Sequence, residues 1–334
     1  MKHFLRVFVV LTVVTLLFAG CGDDDSETAS DNGSEEESNG DESSGEMDTN
    51  IATIATGGSS GPYNVIATTL GEVYSSELGI NSKTQTTGAS VENLNLMKEE
   101  KVELAFVMSD ALTQALEGAE NFDEPVDNVE QIATLYPNFV QVVTTEGTGI
   151  ETLDDLKGKR VAVGDQNSGV EVNAKNLLEG HGITYDDIDV DFLSYEEAAD
   201  GIRSGQIDAA FLTSGLPNSS VLELSKSVDL KLVTIEKEKV EEIAQDEDYF
   251  VTAEIPEGTY DNDEPIETAA IMNALVVRSD LSEDDVYNLT KELYDNLDKL
   301  ESSHQAAADI NVEDEQEGMV APIHPGAERY YNEQ

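Results

Sequence analysis

Cationic side chains are scarce in this chain: 18 Lys and Arg stand against 70 Asp and Glu over 334 residues, a formal charge of −52. Phosphate backbones demand clustered cations, so this balance excludes a nucleic-acid binder. It also argues against docking by charge on an anionic lipid leaflet. Tryptophan is absent, and there are only 1 Cys and 4 His. That leaves no disulfide framework and no multi-Cys/His metal centre. The apolar run Val7–Phe18 falls short of the roughly 20 residues that a membrane-spanning helix needs. What remains is acid together with a moderate hydrophobic fraction of 39%, most of it in periodic segments after residue 50. The length fits two domains of about 100–200 residues each. So acidic a surface suits hydration in high salt or at alkaline pH, which concerns solubility and not fold.

The first fifty residues read as a targeting segment followed by a spacer. Lys2 and Arg6 precede the apolar run, and the small pair Ala19–Gly20 leads into Cys21. This is the order of a secretory signal, placed over residues 1–20. The stretch Leu17-Phe18-Ala19-Gly20-Cys21 resembles a bacterial lipobox, although Phe18 stands where that pattern more often has Leu. The resemblance implies that Cys21 is lipidated and becomes the mature N-terminus. Residues 21–50 are mostly Asp, Glu, Ser, Gly and Asn with almost nothing apolar. Such a segment cannot offset its ordering entropy and is expected to be an extended, self-repelling linker. Lipid anchor and linker together would hold a soluble body outside the cell membrane and close to it, durably if several acyl chains are attached.

From residue 51 the patterning alternates strands with helices. Ile51–Ala55 reads as a strand. After a turn-rich stretch, Pro62 opens a helix carrying Val65, Ile66, Thr69, Leu70 and Val73. Ser82–Thr86 and Glu103–Val107 read as further strands. Between them lies a helix with Val91, Leu94 and Met97, and Asp110 is expected to cap the next one. Gln131–Tyr136 and Phe139–Thr145 read as two strands separated by Pro137-Asn138. A second block repeats the grammar, with strands at Arg160–Val163, Ile188–Leu193, Ile207–Leu212 and Leu230–Val233 and helices between them. Ile271–Val277 is a strand, and Ser282 caps a long amphipathic helix through Val286, Leu289, Leu293 and Leu297. This alternation predicts parallel βαβ units in an α/β fold.

The chemistry sits in polar loops at strand ends. In open α/β sheets, ligands bind beyond the carboxyl ends of strands, where loops enter helices. Four such junctions stand out: Gly57–Tyr63, Gly88–Ser90, Asp165–Gly169 and Thr213–Ser219. All are rich in Gly, Ser, Thr or Asn and hold almost no charge. Small residues let a ligand approach backbone N–H groups, and a helix N-terminus favours a carboxylate or phosphate. A chain this acidic would need such local donors to hold an anion.

Fragments in order along residues 51–334 resemble the TAXI family of solute receptors, the extracytoplasmic components of TRAP-type secondary transporters. They include Ile54-Ala55-Thr56-Gly57-Gly58 with Tyr63, then Thr87-Gly88-Ala89-Ser90-Val91-Glu92-Asn93-Leu94. Glu103–Val107 before Ser109-Asp110 and Leu153-Asp154-Asp155-Leu156-Lys157-Gly158 follow. Ser168-Gly169-Val170-Glu171, Asp208-Ala209-Ala210-Phe211, Thr213-Ser214-Gly215 and His324–Tyr331 complete the set. The resemblance implies a type II periplasmic-binding-protein fold, two α/β domains around a ligand cleft with paired hinge strands. Domain I would comprise 51–140 and 250–334, and domain II 141–249. It implies capture of a small organic anion, a glutamate-like amino acid or dicarboxylate, by domain closure and delivery to TRAP membrane permease subunits. Carried over by position, Ser59, Ser60, Tyr63, Gly88, Ala89, Ser90 and Ser109 would line one wall. Asn167, Ser168, Gly169, Thr213 and Ser214 would face them. Met108 stands where relatives often have Gln, which points to a changed ligand shape.

No catalytic constellation is legible. The sole Cys is Cys21, no G-x-S-x-G elbow occurs, and no Lys follows the Gly57–Gly61 cluster as a P-loop requires. His324 and Glu328 are spaced for one helix face, yet Pro325-Gly326 intervenes, so packing is expected there and no metal site. His181 lies between Gly180 and Gly182 at a helix stop. The expectation is a monomeric, non-enzymatic receptor without cofactor. Its rivals are the receptor of an ABC importer, a secreted enzyme holding a phosphorylated small molecule, and a sensory lipoprotein.

Overall fold

The computed structural model describes residues 47–312 and 318–334. The signal segment, Cys21 and most of the acidic linker lie outside the described residues. Met47–Asn50, grouped with the linker on composition, instead lies against the body. The Asp48 and Thr49 amides donate to the two Asp285 carboxylate oxygens at 2.8 Å each, and Met47 packs on the core. Among the described residues no helix is long and apolar enough to cross a membrane.

The first lobe is built from β1 (Ile51–Ala55), α1 (Pro62–Glu77), β2 (Asn81–Gln85), α2 (Ser90–Lys98), β3 (Leu104–Met108) and α3 (Ser109–Glu117). The long strand β4 (Val129–Thr145) then leaves it. The second lobe follows with β5 (Arg160–Ala162), α4 (Gly169–Gly180), β6 (Asp189–Asp191), α5 (Tyr195–Ser204), β7 (Ala209–Ser214), α6 (Ser219–Ser225) and β8 (Leu230–Val233). Next come α7 (Lys237–Ile243), β9 (Val251–Ile255) and the second long strand, β10 (Ile266–Arg278). Helices α8 (Glu283–Asp295), α9 (Leu297–Ser303) and α10 (Pro325–Tyr331) close the chain over the first lobe.

Both lobes share one strand order. In the first it is β2-β1-β3-β10-β4, with β10 antiparallel to its neighbours. In the second it is β6-β5-β7-β4-β8, with β4 in the antiparallel place. Strand β4 stands in both orders, and β10 carries Ala269 and Ile271 into the second-lobe core, so both strands cross between the lobes.

Period-2 alternation assigns the core faces. Along β3, Leu104 and Phe106 point toward α1 and α8, while Ala105 and Val107 point toward α2 and α3. In β7, Ala209 and Phe211 face α4 and α7, and Ala210 and Leu212 face α5 and α6. Phe250, Ala269 and Ile271 pack in the second-lobe cluster, as do Ile255 and Tyr260 on its other face.

Three local expectations are corrected. Pro137-Asn138 does not split a strand: β4 runs unbroken from Val129 to Thr145. Pairing with β10 shifts register between Met272↔Pro137 and Ala274↔Thr134, so an extra β4 residue bulges out beside the proline. A bulge is where a missing N–H is tolerated. Asp110 is not a helix cap: Met108 holds that position, and Asp110 lies inside α3, fully buried. The strand expected at Ile271 begins at Ile266, where it pairs with β9, a mostly exposed edge strand that periodicity does not reveal.

Candidate functional site

The carboxyl ends of the parallel strands in both lobes face one another across a cavity of about 600 Å³, a size that suits a small metabolite. From the first lobe, the β1–α1 loop contributes Gly57 through Tyr63 and the β2–α2 loop contributes Thr86 through Ala89. Glu92 on α2, Met108 at the end of β3 and Asn138 on β4 complete that wall. Asp165, Gln166 and Ser168 from the β5–α4 loop face them, with Val170 just inside α4. Phe192, Ser194, Tyr195 and Glu196 follow β6, and Thr213 and Ser214 end β7.

Of the twelve residues proposed from sequence, the structure brings Ser59, Ser60, Tyr63, Gly88, Ala89, Ser168, Thr213 and Ser214 to the cavity lining. The other four do not line it. The Ser90 hydroxyl accepts from the Met108 amide at 3.0 Å, fully buried beneath the site. Ser109 is buried at the start of α3. Asn167 turns outward with φ 64°, and its carbonyl accepts from the Glu92 amide across the lobes at 3.2 Å. Gly169 opens α4 against the other lobe: a Cβ there would lie 2.8 Å from Ser90 Oγ and 2.9 Å from Met108 Sδ. Met108, a first-lobe residue, is thus buried in the second lobe's core cluster.

Further contacts tie the lobes over the cavity. Ser59 donates to Glu196 Oε1 at 3.1 Å, and the Ser219 hydroxyl donates to the Ser60 carbonyl at 2.8 Å. Behind the site, Asn173 on α4 donates to the buried carboxylate of Asp110 on α3. Burial raises that carboxyl to about 7, with the Ala111 amide as the principal opposing hydrogen bond.

The cavity floor has a determinate hydrogen-bond order. Asn273 Nδ2 donates to the Tyr136 carbonyl at 2.7 Å, so Asn273 Oδ1 is the acceptor. It takes the Tyr63 hydroxyl proton and, at 2.8 Å, a proton from Asn138 Nδ2. Asn138 Oδ1 is consequently an acceptor, and among the described residues it has no partner although the residue is only 2% exposed. Thr213 Oγ1, on a residue 1% exposed, is likewise without a partner among the described residues. The Tyr195 hydroxyl donates to the Thr213 carbonyl at 2.6 Å. Burial holds the Tyr63 and Tyr195 phenols above their ordinary range, so both remain neutral donors.

Many loop amides are already served by the chain's own carboxylates. Gly88 N–H donates to Glu92 Oε2 at 2.6 Å, Ser194 N–H to Glu197 Oε2 at 3.1 Å, and Asn167 N–H to Glu171 Oε2 at 3.4 Å. The amides of Gly57 through Ser60 have no acceptor among the described residues. Among the described residues Asp165 makes neither hydrogen bond nor ion pair through its carboxylate; burial first, then the nearby Glu197 and Glu92, raises its pKa. Sequence reasoning treated these loops as nearly uncharged and missed Glu92, Glu196 and Asn138. No local signal marks them, because tertiary pairing brings them there.

The two sequence-singled histidines are structural. His324 caps α10, its Nδ1 accepting from the Gly326 amide at 3.1 Å, and His181 follows the end of α4. Among the described residues, no group of three or more His, Cys, Asp or Glu could hold a metal ion.

Two lobes with matching strand order, two shared crossing strands and one cleft between them define a periplasmic-binding-protein fold, as the solved structures similar to it bear out. A protein of Bordetella bronchiseptica RB50 matches with TM-score 0.54 and 16% identity over 78% of each chain. The binding protein component of an ABC phosphonate transporter from Pseudomonas aeruginosa matches with TM-score 0.54 and 14% identity, covering 78% of this chain and 80% of that one. PhnD1 from Prochlorococcus marinus (MIT 9301), solved with methylphosphonate, gives 0.50 and 14%, over 76% and 83%. More particularly, the chain belongs to the NMT1-like family, whose model matches residues 54–334.

Proposed function

We propose that this protein is an extracytoplasmic solute-binding receptor, not an enzyme, that closes its lobes over one small molecule and presents it to a membrane importer. The observation that carries the reading is a cavity of about 600 Å³ walled by strand-end loops of both lobes. A solute touching both walls favours the closed state over an open one, and its binding energy shifts that population. Strands β4 and β10 are the hinge in this reading, and the bulges in β4 mark where it would bend. The free amides of Gly57–Ser60 would receive an acidic group, and Ser59, Ser60, Tyr63, Ser168, Thr213 and Ser214 are the contacting side chains we assign.

The similar binding protein of an ABC phosphonate transporter supports an ABC-type permease as partner. The ordered TAXI-like fragments over residues 51–334 favour a TRAP permease as the second reading. The solute class taken from that resemblance is a glutamate-like amino acid or dicarboxylate. Anchoring through a lipidated Cys21 completes the proposal. Calorimetry of the purified full-length chain against amino acids, dicarboxylates and alkylphosphonates tests it, with small-angle scattering to follow closure. Micromolar or tighter binding and a compacted particle are expected; folded protein that binds none of them refutes the receptor reading. Co-purification with an ATPase-bearing complex or with an ATPase-free permease separates the two partners.

A further inference from the structure

The cavity has an excess of acceptors. Resting on the receptor reading, we infer that the bound solute carries a protonated amine, seated against Asp165 and Asn138 Oδ1, so that amine-free dicarboxylates and alkylphosphonates are not its ligands. Among the described residues the lining contains Glu92, Asp165 and Glu196 and no Lys, Arg or His. A dianion would enter that field with no counter-charge to meet it, and the Gly88 and Asn167 amides expected to help hold one are already committed to carboxylates. Glu92 and Glu196 already accept from Gly88 and Ser59. Asp165 does not, which leaves one partly buried carboxylate in the cleft lining with no partner among the described residues.

Independently of charge, the floor points the same way. Asn273 fixes the Asn138 amide with its oxygen free, and Tyr63 has spent its proton on Asn273. Asn138, only 2% exposed and part of the cavity lining, therefore presents an acceptor oxygen with no partner among the described residues. An unmet acceptor at the floor and a carboxylate in the wall with no partner among the described residues call for a multivalent donor, and an ammonium group supplies three N–H bonds and a charge. The free Gly57–Ser60 amides lie across the cavity from Asp165, with Asn138 at the floor, so an α-amino acid, acid at one end and amine at the other, matches both.

The test is calorimetry of the full-length chain with matched pairs: glutamate against glutarate, alanine against propionate, and aminomethylphosphonate against methylphosphonate. At least one amine-bearing member is expected to bind about tenfold or more tightly than its amine-free partner. Asp165→Asn should erase that preference while leaving the melting temperature unchanged or higher, since it removes like-charge repulsion. Equal binding within every pair, or an unaltered preference in Asp165→Asn, overturns the amine inference and leaves the receptor standing. Binding of no member overturns both.

Discussion

At the residue scale, Asp110 shows how a buried carboxyl couples the lobes to pH. It is fully buried, it accepts from the Ala111 amide at 2.7 Å and from Asn173, and its pKa rises from 3.8 to about 7. The folded protein therefore keeps a proton that the unfolded chain loses above about pH 4. A raised folded-state value means stabilisation that is complete below the unfolded value and lost as pH climbs through 7. Asp110→Asn imitates the protonated form. Denaturant unfolding at pH 4 and pH 7.5 should show the parent losing a few kcal/mol more than the variant across that interval, on the order of 3–4 by linkage. Equal losses would show that Asp110 titrates normally. In the sequence Asp110 was visible as an acid at a helix start, which reads as a cap. Only its packing against α4 makes it something else.

At the element scale, the entry of α4 into the cleft decides how tightly the lobes meet. Gly169 is the first residue of α4, and Ser168 caps the helix by accepting from the Glu171 amide at 3.1 Å. A methyl group at Gly169 would press on Ser90 and Met108 of the opposite lobe, yet it meets nothing comparable in its own. Gly169→Ala should therefore lower affinity for the bound solute by about tenfold or more while the solute-free melting temperature stays near that of the parent. Parent-like affinity would mean that the solute-bound lobes do not meet at this contact. The helix and its glycine were legible in the sequence from the Ser-Gly pair ahead of an apolar period. That the glycine spaces one lobe from the other was not, because its neighbours come from residues far away along the chain.

For the whole molecule, the charge of −52 sets the terms. Most cations are paired at the surface, as Lys291 is with Asp295 and Arg203 with Asp200, and such pairs contribute little. The excess carboxylates repel one another and tax the compact state more than the extended one. Raising sodium chloride shortens the screening length from roughly 10 Å at about 0.1 M to roughly 3 Å at about 1 M. The melting temperature should climb across that range in a calorimetric scan. A steady fall would show that attractive pairs outweigh repulsion.

Composition and periodicity were enough for the alternation of strands and helices, for the acidic character and for the strand-end loops where the cavity lies. These properties are local: a helix face, a turn residue and a cap are written within a few consecutive positions. Two things were decided by the tertiary structure alone. One is the continuous crossing strand through Pro137, which depends on a bulge against Met272. The other is the balance of donors and acceptors in the cleft. That balance arises because Glu92, Asn138, Asp165 and Glu196 converge from the first turns of α2 and α5, the β5–α4 loop and a hinge strand, and hydrogen bonds between distant residues have no signature in the linear chain.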